Sequence, residues 1–200
     1  MQTLLCPDIR LVRFRNLLSK HHCTNIIKHH SNLGYTKTRS IQHGVSSRHT
    51  SQGICADMRV ADVKAADFTM GVFAGLVMDK SNVVTTTSFS PRLLRYETGQ
   101  YATKHCDAIT EDEMAQFDTP HQHLFTMIAY LNDEYTGGEL VFDALDLCIK
   151  PVAGDVYIWC NVVNPIEKMQ RKAYCVNRKS RHRSLPVKTG TKHSLVKFFI

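Results

Sequence analysis

The sequence predicts a mainly β protein: a barrel or sandwich of short strands with helices buttressing one side. Three observations predict it. From Val83 onward, apolar residues recur in short runs punctuated by Gly99, Gly137-Gly138, Gly154 and Gly190. Ahead of that region, two segments carry helical rather than strand spacing. A chain of 200 residues with 43% hydrophobic content can bury one sizeable core, so a single domain over 1–200 is expected. Helices followed by many strands, without an internal repeat, form such layered folds.

In chain order, the alternation in Ile9-Arg10-Leu11-Val12-Arg13-Phe14 predicts an opening strand. Pro7, Asp8 and Arg10 break the apolar start and make it a poor secretory signal. Ser19 as N-cap, apolar spacing through Cys23, Ile26 and Ile27, and Gly34 as stop predict a helix over residues 20–32. Its His21, His22, His29 and His30 read as solvated or half-buried helix residues rather than a metal tract. Residues 35–56, rich in Ser, Thr, Gly and His, read as irregular loop. Asp67 then caps a second helix whose Phe68, Val72, Phe73, Leu76 and Val77 share a face. Strands are expected at Leu93–Tyr96, Tyr101–Ile109, Leu124–Leu131, Leu140–Phe142, Leu147–Lys150, Val156–Cys160, His182–Val187 and Lys192–Phe199.

Composition removes several function classes. No apolar run reaches the 18 or more residues of a membrane span, so an intracellular, cytoplasmic protein without membrane contact is expected. Seven cysteines without a CxxC pair read as reduced, mostly buried thiols, and offer no zinc ribbon. The net charge of +7 is segregated: residues 1–54 carry +7, residues 55–166 carry −9 and residues 167–200 carry +9. Basic ends around an acidic middle permit an acidic partner, but fold against each other in the simpler reading.

Chemistry concentrates at His105-Cys106-Asp107. In an extended strand His105 and Asp107 point the same way and Cys106 the other, giving two neighbouring corners of a metal site. A second imidazole from a distant strand, with His182 the candidate, completes a 2-His-1-carboxylate face whose three open positions suit non-haem Fe(II). Lys192 alternates in phase with Ser194, Val196 and Phe198, facing inward, while Lys197 faces out. A buried ammonium needs an anionic partner.

The order of blocks is specific. RLLRYETGQYATKHCDAI, TMIAYLNDEYTGGELVF, KPVAGDVYIW and RHRSLPVKTGTKHSLVKFF succeed one another. They supply Tyr-x-x-Gly, His-x-Asp, Tyr-Leu-Asn, Gly-Gly-Glu, Lys-Pro-x-x-Gly-Asp, His-x-x-x-Pro-Val and Gly-x-Lys. This closely resembles the prolyl-4-hydroxylase-like branch of the Fe(II)/2-oxoglutarate dioxygenases. The resemblance covers residues 90–200, and more loosely NLLSKHHCTNIIKHHSNLGY.

It implies a double-stranded β-helix, a jelly-roll barrel with N-terminal helices packed on the larger sheet. Residues 1–89 would then be a helical support region and residues 90–200 the catalytic barrel core. By the same match His105, Asp107 and His182 are the iron ligands. Lys192, ten residues after His182, pairs with the distal carboxylate of 2-oxoglutarate. Thr126 and Tyr130 lie beside that carboxylate, and Tyr96 lines the pocket. Retention of Asp107 argues for hydroxylation over halogenation. Trp159 and Tyr157 read as core, and His121, His123 and His193 as structural. His121-Gln122-His123 departs from relatives that carry an arginine there, which bears on substrate contacts.

The implied activity is a 2-oxoglutarate-dependent dioxygenase using Fe(II), 2-oxoglutarate and O2, with ascorbate as reductant. It would hydroxylate a protein or peptide substrate, foremost peptidyl proline, releasing succinate and CO2. Alternatives are the same iron chemistry on nucleic acid or another amino-acid side chain, and a non-catalytic binding module on the same barrel. The lone Lys192 counts against nucleic acid, where relatives close with paired arginines. The basic run RKAYCVNRKSRHR admits both a solvated loop and recognition of an acidic substrate, and oligomeric state stays open.

Overall fold

Alternating apolar strands and glycine-bearing turns build two main antiparallel sheets and three two-stranded ladders. The computed structural model describes residues 2–31, 36–38, 41–42, 45–46, 51–55, 92–109, 122–163 and 175–199. The strands are β1 (Gln2–Cys6), β2 (Leu11–Phe14), β3 (Thr36–Thr38), β4 (Ile41–Gln42), β5 (Val45–Ser46), β6 (Ser51–Cys55), β7 (Arg92–Tyr96), β8 (Ala102–His105) and β9 (Phe125–Tyr130). There follow β10 (Thr136–Gly137), β11 (Leu140–Phe142), β12 (Leu147–Ile149), β13 (Val156–Cys160), β14 (Val162–Val163), β15 (Cys175–Val176), β16 (His182–Ser184), β17 (Val187–Thr189) and β18 (Lys192–Phe199). An eight-stranded sheet runs β1-β2-β13-β9-β18-β7-β6-β3, and a four-stranded sheet runs β12-β11-β16-β8.

At its centre the larger sheet is buried on both faces, which is why β9 and β13 read as continuous apolar runs. On one face Ile128, Tyr130, Tyr157 and Trp159 pack against Leu140, Phe142 and Ile149 of the smaller sheet. On the other, Phe125, Met127, Ala129, Ile158 and Leu195 cluster with Cys23 and Ile26. Those two residues belong to α1 (Lys20–Ser31), whose first turn is capped by Ser19 Oγ accepting from His22 N–H at 3.1 Å. His21 is exposed, and His22 and His29 are half-buried. The helix expected from Asp67 onward lies outside the described residues.

One turn locks the sheet to the chain's opening. Gly154 sits at φ +85°, and a Cβ there would stand 2.3 Å from the Leu18 carbonyl oxygen, so only glycine fits. The adjacent buried Asp155 pairs with the Arg13 guanidinium and accepts the Asn16 N–H at 2.9 Å, fixing β13 beside β2.

Six expectations need correction, the first being that the thiols are mostly buried: of the six cysteines whose side chains are described, only Cys23 and Cys160 are. The opening is a hairpin: β1 pairs with β2 around a turn in which Arg10 N–H donates to Pro7 O. The span read as irregular loop contains β3 to β6. There β6 pairs with β7 and β3 with β6, so ladder bonding to a sheet edge overrides weak local propensity. The strand expected over Tyr101–Ile109 ends at His105, and Asp107 lies in a bend beyond it. The strand expected over His182–Val187 is split into β16 and β17, because Pro186 has no N–H for a ladder. Lys197 does take the face opposite Lys192, but it is buried there, its ammonium over the Phe199 ring.

Candidate metal centre

Three ligand-type side chains converge between the sheets. β8 and β16 are neighbours in the smaller sheet with His105 and His182 directly paired, which brings the ring centroids to 4.4 Å. The bend after His105 returns Asp107 to the same side. One ligating atom from each of the three residues lies within 4.8 Å of the others. Asp107 Oδ1 is 3.3 Å from His105 Nε2, and Oδ2 is 3.6 Å from His182 Nε2.

The tautomers follow from the other ring nitrogens. His105 Nδ1 lies 2.7 Å from Thr103 O, and His182 Nδ1 lies 2.9 Å from Ser180 O. A carbonyl only accepts, so both Nδ1 atoms carry hydrogen and both Nε2 lone pairs face the carboxylate. Lone pairs confronting a carboxylate call for a cation among them, and the donor set fits Fe(II) with open positions. Burial pushes His182 down to about 4, which keeps it neutral. His105 is raised: burial opposes its charging, but the carboxylate of Asp107 favours positive charge at Nε2, the same demand that a cation there would meet. Burial also opposes ionisation of Asp107, yet His182, His105 and Thr126 together hold it well below the usual carboxylate range. Phe142 and Trp159 pack the His182 ring at 5.4 and 5.0 Å.

A cavity of about 100 Å³ opens from these three residues toward Lys192. Lys192 pairs with Tyr96 across β18 and β7, and Ser194 with Tyr130 across β18 and β9. Its Nζ donates to Gly138 O at 2.7 Å and Ser184 Oγ at 2.8 Å, with the Tyr96 and Tyr130 rings 5.1 and 5.4 Å away. Among the described residues no carboxylate reaches ion-pair distance of this ammonium. Burial therefore drives Lys192 down to about 7, against a weaker upward pull from Glu139. The Tyr130 and Ser194 hydroxyls are buried without a hydrogen-bond partner among the described residues. A buried cation beside unpaired donors fits an anionic ligand.

The structure thus brings all seven candidates, His105, Asp107, His182, Lys192, Tyr96, Tyr130 and Thr126, around one cavity. Thr126 differs in detail, since its hydroxyl donates to Asp107 Oδ2 at 2.7 Å. Ser184 and Gly138, which aim Lys192, show no such role in the sequence, although Ser184 shares strand phase with His182. His123, read as structural, donates from Nδ1 to the Asp107 carbonyl at 2.9 Å.

The family model of the 2OG-Fe(II) oxygenase superfamily matches residues 91–200, more than half of the chain. The chain belongs to this superfamily. The oxygenase is accordingly a 2-oxoglutarate-dependent dioxygenase, and its family chemistry requires Fe(II), 2-oxoglutarate and O2. No curated protein sequence matches it. Among solved structures it is similar to a viral collagen prolyl hydroxylase from Paramecium Bursaria Chlorella virus-1, in a 2OG complex. That match has TM-score 0.67 at 20% identity and covers 94% of this chain and 93% of that one. A Pseudomonas putida prolyl-4-hydroxylase matches with TM-score 0.61 at 14% identity, over 94% and 91% of the two chains. A Trichoplax adhaerens prolyl hydroxylase, in complex with a hypoxia inducible factor peptide fragment, matches with TM-score 0.63 at 11% identity, over 94% and 83%. At these identities the likeness establishes the jelly-roll fold of the oxygenase. No helix among its described residues is long and apolar enough to cross a membrane.

Proposed function

We propose that the oxygenase hydroxylates peptidyl proline in a protein or peptide, with His105, Asp107 and His182 holding Fe(II) and Lys192 seating 2-oxoglutarate. The observation that carries the site is one cavity holding three converging ligand atoms and a buried ammonium without a carboxylate partner among the described residues. The order of motifs from Tyr96 to Lys192 supports the proline substrate, as do the prolyl hydroxylases among the similar structures. In this reading residues 1–89 support the larger sheet, residues 90–200 form the catalytic barrel of a single domain, and ascorbate serves as reductant.

Bound Fe(II) with 2-oxoglutarate and O2 supplies oxidative decarboxylation to succinate and CO2, coupled to hydroxylation of a C–H bond. The protein's own share is placement. Gly138 O and Ser184 Oγ fix Lys192 Nζ and leave one of its hydrogens, together with the Tyr130 O–H, to hold the distal carboxylate that 2-oxoglutarate would bring. The charge of the dicarboxylate restores the protonated state that burial disfavours in Lys192. Ile128, Leu140 and Val196 wall the cavity and exclude water, which strengthens each polar contact.

Succinate formation from 2-oxoglutarate under Fe(II) and O2 tests this reading, with a proline-rich peptide or an oligonucleotide added. Stimulation by the peptide with hydroxyproline in the product is the expected result. Stimulation by the oligonucleotide alone would move the activity to nucleic acid, and absence of succinate from folded protein would point to a binding module.

A further inference from the structure

We propose that Asn161 and Thr126 form a positioning relay that fixes the carboxylate of Asp107 as a one-oxygen ligand. The proposal rests on the iron reading above. The direction of the relay follows from donor chemistry. Asp107 Oδ2 can only accept, so the single hydroxyl hydrogen of Thr126 goes to it, at 2.7 Å. The Thr126 oxygen is then left as an acceptor, and Asn161 Nδ2–H fills it at 2.8 Å. Both residues are buried, Thr126 1% exposed and Asn161 0%. The Asn161 backbone is pinned as well, its N–H donating to Leu124 O at 2.8 Å and its carbonyl accepting Asn177 N–H at 2.9 Å.

The bend that carries Asp107 is anchored to the same side of the molecule. His123 Nδ1–H holds the Asp107 carbonyl, while Gln122 clasps Ile109 through two bonds of 2.6 Å, one to its N–H and one to its carbonyl. Backbone and Oδ2 of Asp107 are therefore both tied to β9 and the residues entering it, whereas His105 and His182 stand on the smaller sheet. With Oδ2 engaged by Thr126, Oδ1 is the oxygen turned to His105 Nε2. A carboxylate free to rotate can grip a metal with two oxygens and take up a coordination position. Held by the relay, Asp107 takes one and leaves three for a chelating keto acid and O2.

Metal affinity measured by equilibrium dialysis against Co(II), and the visible spectrum of the Co(II)-loaded protein with and without 2-oxoglutarate, test the relay apart from activity. In Thr126→Val the hydroxyl is lost at nearly constant volume. Co(II) affinity is expected to fall by roughly 10- to 100-fold, with an altered Co(II) spectrum and a diminished spectral response to 2-oxoglutarate. Thr126→Ser should restore all three. Asn161→Ala should shift them in the same direction by less, and the double variant should match Thr126→Val, because Asn161 acts only through Thr126. Wild-type affinity and spectrum in folded Thr126→Val would overturn the relay, as would failure of Thr126→Ser to rescue or full additivity in the double variant. Should Thr126→Val not fold, Thr126→Ser against Asn161→Ala decides the matter. Co(II) binding that survives His182→Ala unchanged would instead remove the iron reading, and the relay with it.

Discussion

Lys192 is a cation that the described parts of the fold bury without giving it a carboxylate. The groups facing it are Tyr96 from β7, Tyr130 from β9, Tyr135, and Glu139 before β11. Burial holds Tyr130 and Tyr135 well above the ordinary tyrosine range, so neither ionises near neutrality. Lys192 itself falls from 10.5 to about 7. Between those values the unfolded chain binds a proton that the folded one lacks. The destabilisation from Lys192 is thus complete below pH 7 and fades as pH rises toward 10.5. Ligand binding runs the other way, because a carboxylate needs the ammonium. Calorimetric titration with 2-oxoglutarate should show affinity falling above about pH 7, by up to tenfold per pH unit. Lys192→Met should bind about 100-fold more weakly at pH 6.5, with a flat pH profile and an unchanged or higher melting temperature. A wild-type profile in that variant would contradict the assignment.

At the scale of elements, the loop from Gly137 to Gly138 determines where Lys192 points. Gly138 has φ +69°, and a Cβ there would stand 3.1 Å from Lys192 Cδ and 3.1 Å from Tyr135 Cε2. Gly99 has φ +84° with nothing within 4 Å of the same construction. Both alanine variants should lose more than about 1 kcal/mol to the backbone conformation. Only Gly138→Ala should also raise the KM for 2-oxoglutarate, read by steady-state kinetics beside urea melts. An equal KM effect in Gly99→Ala would break the link to Lys192. Elements with strong period or turn chemistry were legible in advance: β11, β13 and β18 coincide with their expected bounds, and α1 starts where expected and follows the expected helix as far as the described residues reach. The span from Thr36 to Cys55 was not legible, since β6 is held by pairing with β7 and β3 by pairing with β6, long-range ladders that local spacing does not record. Asp107 was legible as a partner of His105, but from strand alternation, whereas a bend held by Gln122 and His123 places it. The hydroxyl of Thr126 was legible as site-facing, but not its tie to Asp107 or to Asn161, because β9 meets the bend after β8 and the residue after β13 only in the folded chain.

For the whole molecule, the site is a seam between two sheets. The smaller sheet offers both imidazoles, the larger offers Lys192, Tyr96 and Tyr130, and Asp107 spans them through Thr126. Neither sheet holds the full set, so the chemistry belongs to the assembled sandwich rather than to any one motif. This explains why an isolated His-x-Asp is weak evidence while the ordered series from Tyr96 to Lys192 is strong. The segregated charge of the chain takes a modest part in that assembly. Arg13 of the basic start pairs with Asp155 of the acidic middle, and Arg183 of the basic end with Asp143.

The most direct test is succinate production from 2-oxoglutarate by the purified chain, compared with His182→Ala and Asp107→Ala shown folded by circular dichroism. The account predicts turnover that requires both Fe(II) and O2, and its loss in each variant. Fe(II)-dependent succinate at the wild-type rate from either folded variant would contradict it.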